Sequence, residues 1–178
     1  MNDIKIFIVC LNKDISLKIS KDILKEDDDL TIIPIFSTDT SYIDEINENY
    51  IYYLNSSIVN LSYKNNSLLY ILTNNYISYG ITLDDFYNND IAFMNIEEYN
   101  NIPDVIFNKH NILTIWIDSK KHQSISNKVN IELKYFNERI KNVNYMYFME
   151  DDTNIYDTII EYVEGDENKR LELLKENM

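Results

Sequence analysis

Residues Ile4–Leu11 read Ile-Lys-Ile-Phe-Ile-Val-Cys-Leu, a nearly continuous run of branched and aromatic side chains. A strand with one wet face alternates apolar and polar residues. A run that stays apolar at successive positions needs cover on both faces, as in the centre of a parallel sheet. A parallel neighbour requires a crossover, and the next residues supply one. Ile15, Ile19 and Ile23 make one apolar stripe in a helix expected over about Asp14–Glu26. Leu30–Phe36 then reads as a second strand, with Pro34 near an edge or an irregularity because proline cannot donate to a ladder. Strand, helix and strand in this order form a right-handed crossover unit.

The same pattern recurs along the chain. Tyr50–Leu54, Leu68–Thr73, Ile91–Ile96, Asn111–Asp118 and Tyr145–Met149 read as strands. Helices are expected over Ser41–Glu48, Glu97–Asn101, Ser124–Asn142, Thr153 to the residue before Gly165, and Asp166–Asn177. Asn55–Ser67, rich in Asn and Ser, reads as loop, and Tyr79-Gly80 as a turn. Thr82-Leu83-Asp84-Asp85 has the form of a helix-start capping box. Gly165 suits a C-terminal glycine cap. With neither repeat nor linker, the fold expected is one three-layer α/β domain over residues 1–178, its largely parallel sheet flanked by helices.

Charge narrows the function. A formal net charge of −14 repels phosphate backbones, so no direct nucleic-acid contact is expected. No segment approaches the roughly 18 apolar residues of a membrane-spanning helix, and the N-terminal residues lack a signal-peptide pattern. A lone cysteine, Cys10, sits in the first apolar run, where a buried structural thiol is expected. Together these features predict a cytoplasmic, reduced, intracellular protein with no membrane contact. Ile, Asn and Tyr are abundant beside one Ala, two Gly and two Pro, a bias that AT-rich codon usage produces in many viral and plasmid genomes.

The two glycines, Gly80 and Gly165, lie far from the turn after Ile4–Leu11. Small α/β enzymes that use nucleotides hold phosphate on glycine-rich backbone at that turn. Here it reads Leu11-Asn12-Lys13-Asp14-Ile15-Ser16-Leu17-Lys18, whose branched side chains obstruct a phosphate-binding nest. No cofactor is implied.

Other constellations yield one alternative. Asp104, the strand ending at Asp118, and Lys120 fit the loose PD-(D/E)xK nuclease pattern, in which two carboxylates hold Mg²⁺ and a lysine steers water. A strand followed by a solvated turn explains the same residues, and the net charge opposes DNA. Asp39, Asp118, Asp151 and Asp152 follow strand ends, where open α/β sheets place ligands, but a chain with 30 acids puts acids in most loops. His110 and His122 lack metal-ligand spacing to each other or to Cys10, so no metal site is expected. His122 beside Asp118 is the arrangement a general base would need, although two histidines in polar turns are more simply exposed.

The order of elements resembles the guanylate-kinase-like branch of the P-loop kinases. Tyr79-Gly80-Ile81-Thr82 is similar to that family's tyrosine-glycine-threonine-serine turn, and Asp90–Ile96 to the strand of its second carboxylate motif. Ile112–Ser119 resembles the later core strand, and the helix bearing Glu138-Arg139-Ile140 the arginine-bearing lid helix. The departures are as informative. The first turn has no glycine, Lys18 is the one candidate for the phosphate lysine, and Asn95 stands where a metal-linked aspartate is wanted. The resemblance implies a kinase fold without kinase chemistry.

With 15 tyrosines on an acidic chain, the expected function is non-catalytic protein binding, as an inhibitor, accessory subunit or pseudo-enzyme reused for interaction. The partner would be a protein with a basic surface. The binding surface expected is the Tyr76–Tyr87 loop, with Tyr76, Tyr79, Asp84, Asp85 and Tyr87. The alternative is a Mg²⁺-dependent phosphoryl-transfer or nuclease-like enzyme using Asp104, Asp118 and Lys120.

Overall fold

The first apolar run becomes strand β1 (Lys5–Cys10), and all six of its residues are buried. The reason is its place between two parallel neighbours, β6 (Ile91–Asn95) and β7 (Ile112–Asp118). A computed structural model describes residues 4–43, 50–118, 143–148 and 152–175. In it the first sheet has the order β6-β1-β7-β8, all parallel, with β8 at Tyr145–Phe148. Helix α1 (Lys13–Glu26) packs on β1 and β6, burying Leu17, Ile19 and Ile23. The α/β fold with a parallel sheet flanked by helices is therefore the one expected. A second, mixed sheet was not.

That second sheet arises at Pro34. The single strand expected over Leu30–Phe36 is divided there: Ile32 bridges Ile91 at the edge of the parallel sheet, and Ile33 N–H donates to the Ile91 carbonyl at 2.8 Å. One residue after the proline, Ile35 N–H donates to the Tyr50 carbonyl at 2.8 Å, opening β2 (Ile35–Ser37) in the second sheet. The missing proline N–H falls where the chain leaves one ladder for another, so no ladder bond is lost. The second sheet has the order β3-β2-β5-β4, with β3 at Ile51–Tyr53, β4 at Leu68–Asn74 and β5 at Ile77–Thr82. Strands β2 and β3 are parallel, and the β2–β5 and β4–β5 pairs antiparallel.

The turn expected at Tyr79-Gly80 lies inside β5 instead. The hairpin turns at Asn75 and Tyr76, with φ of 49° and 69°, the left-handed pair that characterises a type I′ turn. Gly80 is glycine for want of space: a Cβ there would drive into the Tyr70 carbonyl oxygen and lie 3.1 Å from both Ile71 Cα and the Phe36 ring. Gly165 likewise does not cap by a left-handed conformation, since neither glycine has positive φ. The helix ahead of it, α6 (Asp152–Glu164), is closed by Arg170 of α7 (Glu167–Lys175). The guanidinium donates to the Tyr162 and Val163 carbonyls at 2.8 and 2.6 Å.

Asn55–Ser67 is not loop but helix α2 (Ser56–Lys64). Two of the segment's Asn residues, Asn55 and Asn66, sit at its ends and close them. Asn55 accepts from Ser57 N–H at 2.8 Å. At the other end Asn66 takes φ 53°, with Ser67 N–H bonded to Ser62 O and Asn66 N–H to Tyr63 O, a Schellman closure made without glycine. Three short helices complete the described chain: α3 (Leu83–Asn88), α4 (Ile96–Asn100), and α5 (Asp104–Lys109), which the sequence reading did not anticipate. Ser41–Glu48 yields a 3-10 turn at Thr40–Tyr42, and 44–49 lie outside the described residues. Also outside them is the expected helix Ser124–Asn142, with Glu138, Arg139 and Ile140.

Candidate functional site

Open α/β sheets place ligands at the carboxyl ends of their strands. At that edge β1 passes into α1 through only Leu11 and Asn12. The Asn12 side chain accepts from Asp14 N–H at 2.9 Å, so the helix N-terminus is closed by its own residue. Beside it β6 passes directly into α4. There Asn95 accepts from Glu98 N–H at 2.9 Å, and Glu98 Oε2 accepts from Asn95 N–H at 2.8 Å, a reciprocal capping box.

The box fixes Glu98, whose side chain is 0 % exposed, with its second oxygen toward α1. Lys13 Nζ donates to that Oε1, forming an ion pair between the starts of the two helices. The Lys13 ammonium also lies 5.7 Å from the Tyr79 ring centre and 5.5 Å from that of Phe93. Burial, and then the Glu98 charge, push the Tyr70 hydroxyl well above the ordinary tyrosine range. The Tyr79 hydroxyl is raised by the same two causes in the same order, with a further contribution from Glu97. Chemically this is a closed arrangement. Both Glu98 oxygens are engaged by donors, and the adjacent cation is already paired.

The sequence-expected residues are distributed differently. Tyr76 is fully exposed at the hairpin tip, while Tyr79 lies within β5 beside Lys13. Asp84, Asp85 and Tyr87 are on α3, beyond the other end of β5, so about 20 Å of strand separates Tyr76 from them. The Tyr76–Tyr87 segment is thus strand and helix rather than one loop, and its named residues do not form one face. Asp85 is tied inward: its Oδ2 accepts from the Tyr52 and Thr82 hydroxyls at 2.7 and 2.6 Å, while Thr82 caps α3 as expected. Tyr87 packs its ring against Phe86 and His110 at 5.4 and 5.6 Å.

Asp104 is exposed in the first turn of α5, and Asp118 ends β7 opposite Phe148 of β8. Ser119, Lys120, His122 and Asp151 lie outside the described residues. Asp39 caps the 3-10 turn beyond β2, in the second sheet, whereas Asp118 and Asp152 belong to the first. Among the described residues, no group of three or more His, Cys, Asp or Glu is placed to hold a metal ion. No helix among them is long and apolar enough to cross a membrane. Lys18 is exposed on α1. Cys10 is buried, and desolvation pushes its thiol up to about 12.

Lys13 and Glu98 were therefore missed. The signal for half of the pair was present, since Asn95-x-x-Glu98 after an apolar run is a capping-box pattern. Nothing local links Glu98 to a lysine 85 positions earlier.

No protein-family model matches the chain, and no curated protein matches it. Among solved structures, the guanylate kinase of Anaplasma phagocytophilum aligns with a TM-score of 0.60 at 12 % identity, covering 97 % of this chain and 94 % of that one. At that identity the likeness concerns the fold, which is guanylate-kinase-like.

Proposed function

We propose that this guanylate-kinase-like fold serves as a non-catalytic, acidic module that binds a protein with a basic surface. The observation that carries the reading is the Lys13–Glu98 pair. It engages the fold's own groups at the carboxyl edge of β1 and β6, beside a connection of two residues with no glycine. A phosphate at this edge would need free backbone N–H groups and an unpaired cation. Here Asn12 caps the helix and Glu98 takes the lysine.

Tyr76 supports the binding half of the reading. The second left-handed position of a type I′ turn favours glycine, and a bulky side chain there is strained. This chain instead puts a fully exposed aromatic ring there. Such a ring offers a large contact area at modest entropic cost, and the net charge of −14 would speed encounter with a basic partner.

The test is a pull-down from the native source with quantitative mass spectrometry, comparing wild type with Tyr76→Ala and with Tyr79→Ala/Asp84→Ala/Asp85→Ala. Basic proteins that co-purify with wild type should fall at least tenfold with Tyr76→Ala. Retention of every partner by both variants would rule out this surface. Calorimetric titration with ATP, GMP, Mg²⁺ and Mn²⁺ addresses the chemistry: saturable binding lost in Asp118→Ala would replace the reading with the enzymatic one.

A further inference from the structure

We infer that a cavity between the last turns of α1 and α6 is an anchor pocket for an arginine side chain of a partner protein. The inference rests on the reading of this chain as a module for a basic partner, and it names a second place where such a partner is held. The cavity measures about 290 Å³. Helix α1 ends at Glu26 and α6 at Glu164, and both residues line it. Lys13 opens α1 and Glu26 closes it, so about 20 Å of helix separates the cavity from the Lys13–Glu98 pair.

Floor and mouth differ in character. Ile23, Leu30 and Ile159 are buried and form the apolar floor. Ile160, 37 % exposed, and the half-buried Tyr156 stand nearer the solvent. Three carboxylates, Glu26, Asp27 and Glu164, also line the cavity, without a lysine, arginine or histidine among them. The neighbouring cations are engaged elsewhere. Lys25 pairs with Asp22 at 2.6 Å and Lys169 with Glu161 at 2.9 Å, while Arg170 donates to the Tyr162 and Val163 carbonyls. Each helix also turns the negative end of its dipole to this place. The cavity is apolar within and negative at its rim.

That combination selects the occupant. A side chain with an apolar stem and a positive tip matches both parts. Pockets for whole small-molecule ligands run to about 300–1,000 Å³, so this one is sized for a single anchoring side chain. Arginine fits better than lysine: its planar fork matches carboxylates, it sheds water more readily, and it stacks on aromatic rings, here that of Tyr156. A second copy of this chain is a poor source. Of its two arginines, Arg170 is bound to the α6 carbonyls and only Arg139 is left.

The probe is the end-capped peptide Ser-Leu-Arg-Leu-Ser, compared with forms carrying citrulline or lysine in place of arginine. Titration followed by methyl NMR in 0.15 M salt should show saturable shifts at Ile23, Leu30 and Ile159. The citrulline form keeps the shape but not the charge and should bind at least tenfold more weakly; the lysine form should lose at least threefold. Glu26→Gln/Glu164→Gln alters two exposed side chains, so it is expected to fold normally, and it should weaken the arginine peptide at least fivefold. Asp14→Asn/Asp104→Asn removes the same total charge from exposed residues outside the cavity. It should leave the affinity within twofold, as should Tyr76→Ala. Equal affinity for the arginine and citrulline peptides, equal losses in the two double variants, shifts elsewhere than the cavity, or an absence of binding would each overturn the inference. So would propylguanidinium binding as tightly as the peptide, or a dimer in sedimentation that Glu26→Gln/Glu164→Gln abolishes. None of these outcomes touches the wider reading, which fails separately if wild type captures no basic protein in the pull-down.

Discussion

Removing the Lys13 ammonium should destabilise the fold far more than removing the Glu98 charge. Glu98 is 0 % exposed, whereas the Lys13 side chain is 24 % exposed and can reach water. Lys13→Met therefore strands a buried carboxylate, a change that costs about 3–5 kcal/mol. Glu98→Gln keeps an acceptor for Asn95 N–H and leaves a lysine able to hydrate, so its cost is nearer 1–2 kcal/mol. The decisive comparison is the double variant. With both charges gone no buried anion remains, so Lys13→Met/Glu98→Gln should be more stable than Lys13→Met by about 1–3 kcal/mol. Urea unfolding followed by circular dichroism measures all four proteins, with midpoint shifts read at constant slope. In thermal scans Lys13→Met should melt roughly 6–20 °C below wild type for a chain of this size. A double variant no more stable than Lys13→Met, or equal costs for the two single changes, would refute the description of Glu98 as a buried anion held by Lys13.

Further outcomes follow from close packing and burial. Gly80→Ala should cost at least the ~1–3 kcal/mol of an overpacked core, because the new Cβ meets the Tyr70 backbone rather than a movable side chain; the same urea assay reads it. Cys10, 1 % exposed, should resist iodoacetamide at pH 8 and label fully in denaturant, as mass spectrometry would show. Its folded pKa of about 12 exceeds the ordinary 9.0, so its contribution to stability is complete below pH 9 and is lost as pH rises through 12. Tyr52 is raised first by burial and then by its bond to Asp85, so it too favours the folded state below the ordinary tyrosine value of 10.0 and loses this effect at higher pH. Tyr52→Phe should accordingly flatten the fall in stability above pH 10 in denaturation series. Tyr76→Gly should relieve about 1 kcal/mol of left-handed strain, partly offset by unfolded-state entropy, so its melting point should equal or exceed that of wild type while partner binding falls.

Much of this architecture was legible in the chain because its signals are local. The buried runs at β1 and β7, the stripe of α1, and the Thr82 cap are statements about neighbours a few residues apart, and each appears as read. Local reading failed where one composition serves two structures. The Asn and Ser of Asn55–Ser67 suit a loop and equally suit the two ends of a short helix. Glycine invited a similar error at Gly80: it signals either a turn or a close approach, and only the strand packed against it decides which.

By itself, then, the sequence determined the parallel α/β layers, the buried central strand, the acidic exterior and the glycine-free first turn, since these depend on composition and short-range period. Tertiary structure alone decided that Pro34 would divide one apolar run between two sheets, and that Asn95 and Glu98 would meet Lys13 at one edge. It also decided that β4 would lie at one edge of the second sheet among the described residues. The physical reason is common to all three. Each depends on which distant segments exclude water from one another, and the free energy of that burial belongs to the packed pair rather than to either segment.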